Sequence, residues 1–255
     1  MNEALLNIQK RPAKKGGLVL NRGIFITGTD TGVGKTFITA GITYILNKSG
    51  VSSCSFKPVE SGGRRGKEAF LSNDSIFVKQ VCGLDEDVEN MNTHCLENEM
   101  SPHIAFELEG QDVKVSDIKR DYMALCSKYE RVVVEGCGGI AVPIKRDCFY
   151  VDDLIKELEL PCIIVARASL GTINHTILTV EYARSRGVDI RGIIINGYEG
   201  GTIQDDNIKT IESATGIYVI SKVSKCSEME DADCMRDVFE KCIDFERLKM
   251  ALEWE

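Results

Sequence analysis

The sequence has no long apolar run. Nowhere do apolar residues continue toward the roughly 20 that a bilayer-spanning helix needs, so no membrane partner is expected. It also lacks any surplus of positive charge. Lys and Arg number 31 against 39 Asp and Glu, giving a net charge of −8 and a pI near 5.1. A general nucleic-acid binder needs a basic face to neutralise phosphates, so no nucleic-acid partner is expected. Histidines number three, and none of the ten cysteines forms a C-x-x-C pair. A structural zinc site draws on ligands clustered at short spacing, which this chain does not offer. Cys54, Cys82, Cys126 and Cys162 each lie in or beside an apolar stretch and read as reduced, buried thiols of a cytoplasmic protein. There is no low-complexity linker and no internal repeat. The opening MNEALLNIQKRPAKKGG sets a short apolar patch ahead of its basic residues, the wrong order for a secretory signal. Residues 1–22 are read as a flexible extension and 23–255 as a single domain.

What is present is an ordinary globular composition, 43% apolar and 27% charged over 255 residues, enough for a large core. Short apolar runs alternate with amphipathic segments of helical length. Strands are expected at Gly23–Thr27, Ser52–Phe56, Arg131–Val134, Cys162–Ala166, Gly192–Asn196 and Ile217–Ile220. Several are β-branched runs without polar alternation, as for strands covered on both faces. Helices are expected at Lys35–Lys48, Asn73–Val81, Ser101–Glu109, Val115–Tyr129, Asp152–Leu158, Thr172–Arg186, Gln204–Ala214 and over part of Met229–Leu252. Such alternation predicts an α/β fold with a mostly parallel central sheet and helices on both faces. Ligands in such folds bind at the carboxyl ends of the strands. The candidate chemistry therefore lies in Thr29–Thr36, Lys57–Ser61, Glu135–Gly139, Arg167–Gly171 and Asn196–Gly197.

The stretch GTDTGVGKTF, Gly28 to Phe37, joins the first strand to the first helix. A glycine-rich turn there exposes backbone N–H groups beside the positive end of a helix, which favours phosphate oxygens. Lys35 is placed to reach the β- and γ-phosphates of a nucleotide, and the Thr36 hydroxyl to ligate Mg²⁺. The match to the P-loop pattern G-x-x-x-x-G-K-[ST] is a variant: Thr29 occupies the first glycine position and Gly28 precedes it by one. Magnesium needs further oxygen ligands. Glu135 ends the run Arg131–Val134 and is followed by Gly136-Cys137-Gly138-Gly139, which permit close approach of a nucleotide. Asp74 opens a predicted helix and reads either as a metal ligand or, like Asn73, as a cap of that helix. Lys57, in FKPVESG, follows the second strand, so its ammonium and the Ser61 hydroxyl can face one pocket and stabilise charge near the γ-phosphate.

Taken together these segments resemble the dethiobiotin synthetases, a P-loop NTPase family. The resemblance spans about Ile24 to Ile220 and rests on GTDTGVGKT, FKPVESG, Asn73-Asp74, Ser101–Ala105, VEGCGGIAVP, LGTINHTILTVE and IIINGY. It implies an ATP-dependent C–N cyclo-ligase of biotin biosynthesis. In that reaction one amine of 7,8-diaminononanoate takes up CO₂ as a carbamate, whose oxygen attacks the γ-phosphate of MgATP. The second amine then closes a ureido ring, releasing phosphate beside ADP. The resemblance makes Lys57 and Lys35 the catalytic lysines. It assigns nucleotide binding to Gly32, Val33, Gly34, Lys35, Thr36 and Phe37, to Asp74, and to Glu135, Gly136, Cys137 and Gly138. Asn196, with Gly197, is assigned to the adenine edge. Thr36, Asp74 and Glu135 are assigned to the metal, and Thr31, Ser61, Gly138, Leu170 and Asn174 to the substrate. It implies a homodimer in which Leu170–Thr176 contribute across the interface. His103, after Ser101-Pro102, is read as structural or capping.

The chain departs from the family pattern after its last strand, where a proline normally borders the adenine. Here Gly216-Ile217-Tyr218-Val219-Ile220-Ser221-Lys222-Val223 has none, and Cys226–Glu255 does not align. Two other readings share the loop. A cobyrinic acid amidase needs a glutaminase domain, for which the chain is too short. A partition-type nucleotide switch carries a second lysine where Asp30 stands.

Overall fold

A computed structural model describes residues 22–67 and 69–254; the stretch 1–21 of the expected extension lies outside them. Arg22 is anchored, its Nη1 donating to Cys126 O at 3.0 Å. In chain order the strands are β1 (Gly23–Gly28), β2 (Ser53–Ser61), β3 (Arg64–Arg65), β4 (Phe70–Leu71), β5 (Asn92–Leu96), β6 (Arg131–Glu135), β7 (Pro143–Lys145), β8 (Phe149–Tyr150), β9 (Cys162–Arg167), β10 (Ile190–Tyr198) and β11 (Val219–Ser224). The helices are α1 (Lys35–Lys48), α2 (Asn73–Cys82), α3 (Pro102–Leu108), α4 (Val115–Lys128), α5 (Val151–Glu157), α6 (Thr172–Ser185), α7 (Thr202–Thr215), α8 (Ala232–Cys242) and α9 (Phe245–Leu252). Seven strands form one sheet in the order β11-β10-β9-β1-β6-β2-β5, and every neighbouring pair is parallel. β3–β4 and β7–β8 are small antiparallel ribbons.

The apolar runs work as two-sided strands. Along β1, Ile24 and Ile26 join one core while Phe25 joins the other. Val133 in β6 and Ile194 in β10 separate from their neighbours in the same way, following the two-residue period of a strand. The first core is closed by α3 to α7. The second is closed by α1, α2, α8 and α9, through residues such as Ile38, Val78, Phe239 and Leu248. The tail that could not be aligned is thus a structural layer: Phe239 stacks on Phe37 of α1 with ring centroids 4.7 Å apart.

The four short strands of the two ribbons were not expected, and within the main sheet three strands differ most from expectation. β5 is unanticipated because Asn-Thr-His-Cys-Leu carries no apolar run; it is an edge strand, half-buried over most of its length. β11 begins at Val219 rather than Ile217, after Gly216 ends α7 with a φ of 65°. β2 runs past Phe56 to Ser61. Its first half pairs with β6 (Ser53↔Arg131 to Phe56↔Val134) and its second with β5 (Lys57↔Asn92 to Ser61↔Leu96). Lys57 therefore does not follow the strand but sits within it, where β2 changes partner near the carboxyl end of β6.

Candidate active site

The loop between β1 and α1 is pinned on several sides. Thr29 N–H donates to Val165 O of β9 at 3.0 Å. Arg167 Nη2 donates to Thr31 O at 2.7 Å, and Thr31 N–H to Asp30 Oδ1 at 2.7 Å. Gly32 and Gly34 adopt φ of 68° and 92°, a region that side chains resist. A Cβ on Gly34 would also lie 2.0 Å from Asn196 Nδ2, the nitrogen that donates to Val33 O at 3.0 Å. Gly34 is the residue that precedes α1, and no side chain caps that helix. The N–H groups of its first turn are left for a ligand, and an anion suits them best. α2, α8 and α9 are capped by Ser72, Asp231 and Asp244, while α3, α4, α6 and α7 share with α1 the lack of a side-chain cap; what sets α1 apart is the glycine loop before it and the lysine at its first position.

At the mouth of this loop α1, α2, β2 and β6 bring four side chains together. Thr36 Oγ1 lies 2.9 Å from both Asp74 Oδ1 and Glu135 Oε1. Lys57 Nζ lies 2.6 Å from Asp74 Oδ2, 2.8 Å from Glu135 Oε1 and 3.1 Å from Gly136 O. Lys57 and Glu135 are 6% and 2% exposed, so these contacts operate with little screening. Lys35, also buried, donates from Nζ to Asp30 O at 3.2 Å.

The electrostatics follow from one ammonium serving two carboxylates. Burial disfavours the Lys57 charge, but Glu135 and Asp74 outweigh it and hold the ammonium above its ordinary range. Burial also raises Asp74, yet Lys57 and the Thr36 hydroxyl bring it below the usual value. Glu135 goes the other way, pushed up to about 7 by burial and by the Asp74 charge against the pull of Lys57. Both ends of the Lys57–Glu135 pair are thus raised, which favours the charge on the ammonium and disfavours it on the carboxylate. With Asp74 as second counter-ion the ammonium stays charged, and the surplus negative charge is relieved at Glu135. Lys35 is lowered by burial first and by Lys57 second. That dependence puts both ammonium groups on one electrostatic site.

The cluster fits a hard divalent cation. Thr36 has one hydroxyl hydrogen and two carboxylate oxygens at equal distance, so lone pairs outnumber protons. Hydroxyl and carboxylate oxygens are the donors that Mg²⁺ takes.

Asp74 is not the helix cap. Ser72 has that role, its Oγ accepting from Ser75 N–H at 2.9 Å, which leaves the Asp74 carboxylate to face the site. Phe37 and Val33 turn their side chains into the core, so only their backbones can meet a nucleotide. Cys137 is buried and Gly138, with φ of 65°, packs against Val142. Ser61 closes β2, and Gly197 takes φ of 74° near the end of β10. Leu170, just before α6, is fully exposed, and Asn174 in its first turn is exposed. Leu170 there lines a small recess with Thr29, Asp30, Arg167 and His175. His103 accepts or donates at Nδ1 to Ser101 Oγ, 2.9 Å away, at the start of α3. Sequence reasoning assigned no role to Arg167, although it lies in a post-strand segment, or to Glu60, which the FKPVESG motif contains.

A family model described as an AAA domain matches residues 22–232. The chain is 36% identical over 237 residues to the ATP-dependent dethiobiotin synthetase BioD of Clostridium novyi, covering 91% of this chain and 99% of the relative. It is 39% identical to the enzyme of that name from Caldicellulosiruptor saccharolyticus, covering 88% and 94%, and 40% identical to that from Methanococcus vannielii, covering 79% and 92%. The chain belongs to the ATP-dependent dethiobiotin synthetase family. The chain shares its fold with distant ATPases. A ParA family ATPase from Chlorobium tepidum superposes with a TM-score of 0.53 at 14% identity, covering 91% of this chain and 96% of the other. The MinD cell division protein of Aquifex aeolicus gives 0.52 at 14% identity, covering 91% and 95%. The chain carries a polar cluster where β10, α7 and β11 meet. Tyr198 donates to Asp205 Oδ1 at 2.5 Å, and Lys222 Nζ lies 3.0 Å from that oxygen and 4.9 Å from the Tyr198 ring.

Proposed function

We propose that the Lys57 cluster is the reaction centre of an enzyme converting 7,8-diaminononanoate, CO₂ and MgATP to dethiobiotin, ADP and phosphate. Membership of the family makes the chain an ATP-dependent ligase of biotin biosynthesis. The observation that carries the residue assignment is the meeting of Lys57, Asp74, Glu135 and Thr36 beside an uncapped phosphate loop. The open N-terminus of α1 and Lys35 bind the β- and γ-phosphates. Thr36, Asp74 and Glu135 would hold Mg²⁺, which would offset charge on the phosphates. Lys57 exchanges a carboxylate partner for the carbamate oxygen and holds it toward the γ-phosphate. Because β2 is hydrogen-bonded to β5 at Lys57 itself, the ammonium is presented from a rigid strand, which limits the reorganisation needed as charge develops. Asn196 and Gly197 border the base, while Thr31, Ser61, Gly138, Leu170 and Asn174 contact the diamine.

The enzyme is further proposed to be a cytoplasmic homodimer. Ten free cysteines support a reducing compartment, and among the described residues no helix is long and apolar enough to cross a membrane. Exposed Leu170 and Leu178 on the α6 side, with Ile203 at the start of α7, supply apolar surface for a second copy. ATP turnover should require both diaminononanoate and bicarbonate, with dethiobiotin formed in step with ADP. Slow ATP hydrolysis indifferent to both would instead favour a nucleotide switch.

A further inference from the structure

Glu60 is a charged residue that the proposed chemistry leaves unused, yet it is only 6% exposed. It lies on β2 three residues beyond Lys57 and opposite Cys95 of β5. Its carboxylate reaches the first turn of α2. Oε2 accepts from the Ser72 hydroxyl, Oε1 from Asn73 N–H at 2.8 Å, and Oε2 from Asp74 N–H at 3.3 Å. Ser72 Oγ in turn accepts from Ser75 N–H, and Asn73 Nδ2 donates to Gly62 O at 2.8 Å. The beginning of α2 is thereby tied to the strand that carries Lys57.

Without Glu60 the N–H groups of Asn73 and Asp74 would need other acceptors, because Ser72 serves Ser75 alone. A carboxylate on first-turn amides is doubly favourable, since it satisfies donors and opposes the helix dipole. Its placement is costly, however: burial raises Glu60 above its ordinary range, and the nearby Asp74 charge adds to that. A buried carboxylate beside a second one calls for a compensating task. The task visible in the geometry is the orientation of the Asp74 main chain, and with it the carboxylate that meets Thr36 and Lys57.

We infer that Glu60 is a positioning residue, which fixes the first turn of α2 so that Asp74 presents its carboxylate to a divalent cation held with Thr36 and Glu135. This rests on the reading of Asp74 as a metal-facing residue. Glu60 acts through the first turn of α2, its carboxylate meeting Ser72, Asn73 and Asp74. Its loss should therefore raise the Mg²⁺ requirement of nucleotide binding without weakening the phosphate loop, which belongs to β1 and α1.

The test is calorimetric titration of the full chain with ADP, with Mg²⁺ varied, for the wild type, Glu60→Ala, Glu60→Gln and Asp74→Asn. Glu60→Ala should raise the Mg²⁺ concentration that half-maximally tightens ADP by about 10- to 100-fold, the usual effect of removing an outer support of a metal ligand. Metal-free ADP affinity should stay at the wild-type value. Glu60→Gln, which keeps one acceptor but loses the charge, should shift the requirement in the same direction by less. In metal-free protein, amide hydrogen exchange at Asn73 and Asp74 should accelerate in Glu60→Ala while that of α1 does not. Should Asp74→Asn move the Mg²⁺ requirement and neither Glu60 variant do so, the positioning role is overturned while the metal reading stands. An unchanged requirement in Asp74→Asn overturns both. Equal loss of metal-free and Mg²⁺-dependent affinity in Glu60→Ala also overturns the inference, and if that variant does not fold, an unmoved Glu60→Gln does so alone.

Discussion

Lys57 and Lys35 are both ammonium groups in one site, but their surroundings divide their work. Lys57 is held by two carboxylates and a carbonyl inside a strand, whereas Lys35 donates to the Asp30 carbonyl and opens α1 at the end of the phosphate loop. Lys57→Met should therefore lower dethiobiotin formation by at least about a hundredfold, the scale of losing one preorganised charge partner, with ADP binding largely kept. Lys35→Met should damage both. Steady-state kinetics beside calorimetry separate the two, and near-normal turnover in Lys57→Met would remove its assigned role. The residues of this site were largely legible in the sequence, because each lies in a motif of fixed spacing. What spacing left open was direction: Asp74 as cap or ligand depended on whether Ser72 took the cap, and a one-dimensional pattern allows either. Glu60 escaped notice because its partners, Ser72 to Asp74, are 12 to 14 residues away.

Among the elements, α1 matters most, since it carries Lys35 and Thr36 at its start and a packed apolar face along its length. That face meets α8. Phe239 stacks on Phe37, and Gly41 permits the approach: a Cβ there would lie 2.8 Å from the Phe239 ring and 2.7 Å from Ile243. Phe239→Ala should destabilise the protein by about 3–5 kcal/mol, as for other fully buried phenylalanines, read as a lower denaturation midpoint. An unchanged midpoint would show that the tail is dispensable to α1. Helices with a clear period were legible to within a few residues, and α1 coincides with its expected span. β5 was not, because an edge strand buries too little to need apolar residues. The far half of β2 was also missed: the expected strand ended at Phe56, before Pro58, while a second neighbour, β5, keeps the chain extended to Ser61.

For the whole molecule, one buried carboxylate outside the site links distant parts of the chain. Glu86, in the connection after α2, accepts from Asn90 at 2.7 Å, from Lys128 at 3.0 and 3.1 Å, and from Tyr129 at 3.1 Å. Burial opposes its charge, but these donors prevail and hold its carboxyl below the ordinary range. A depressed carboxyl contributes stability that is complete above its unfolded value and is lost as pH falls through the folded one. Glu86→Gln should thus unfold more easily than the wild type at pH 7, by about 1–3 kcal/mol. The gap should close as the solution is acidified below about pH 4. Denaturant titrations at both pH values check this, and a gap independent of pH would exclude a charge-linked role. The sequence by itself determined the fold class, the phosphate loop and the family, because these depend on periodicity and on short motifs whose geometry is local. Only the tertiary structure decided that Lys57 remains in its strand, that one ammonium is shared by two carboxylates, and that Glu60 accepts from the first turn of α2. Each of these depends on contacts between segments far apart in the chain, which burial brings together and no local pattern records.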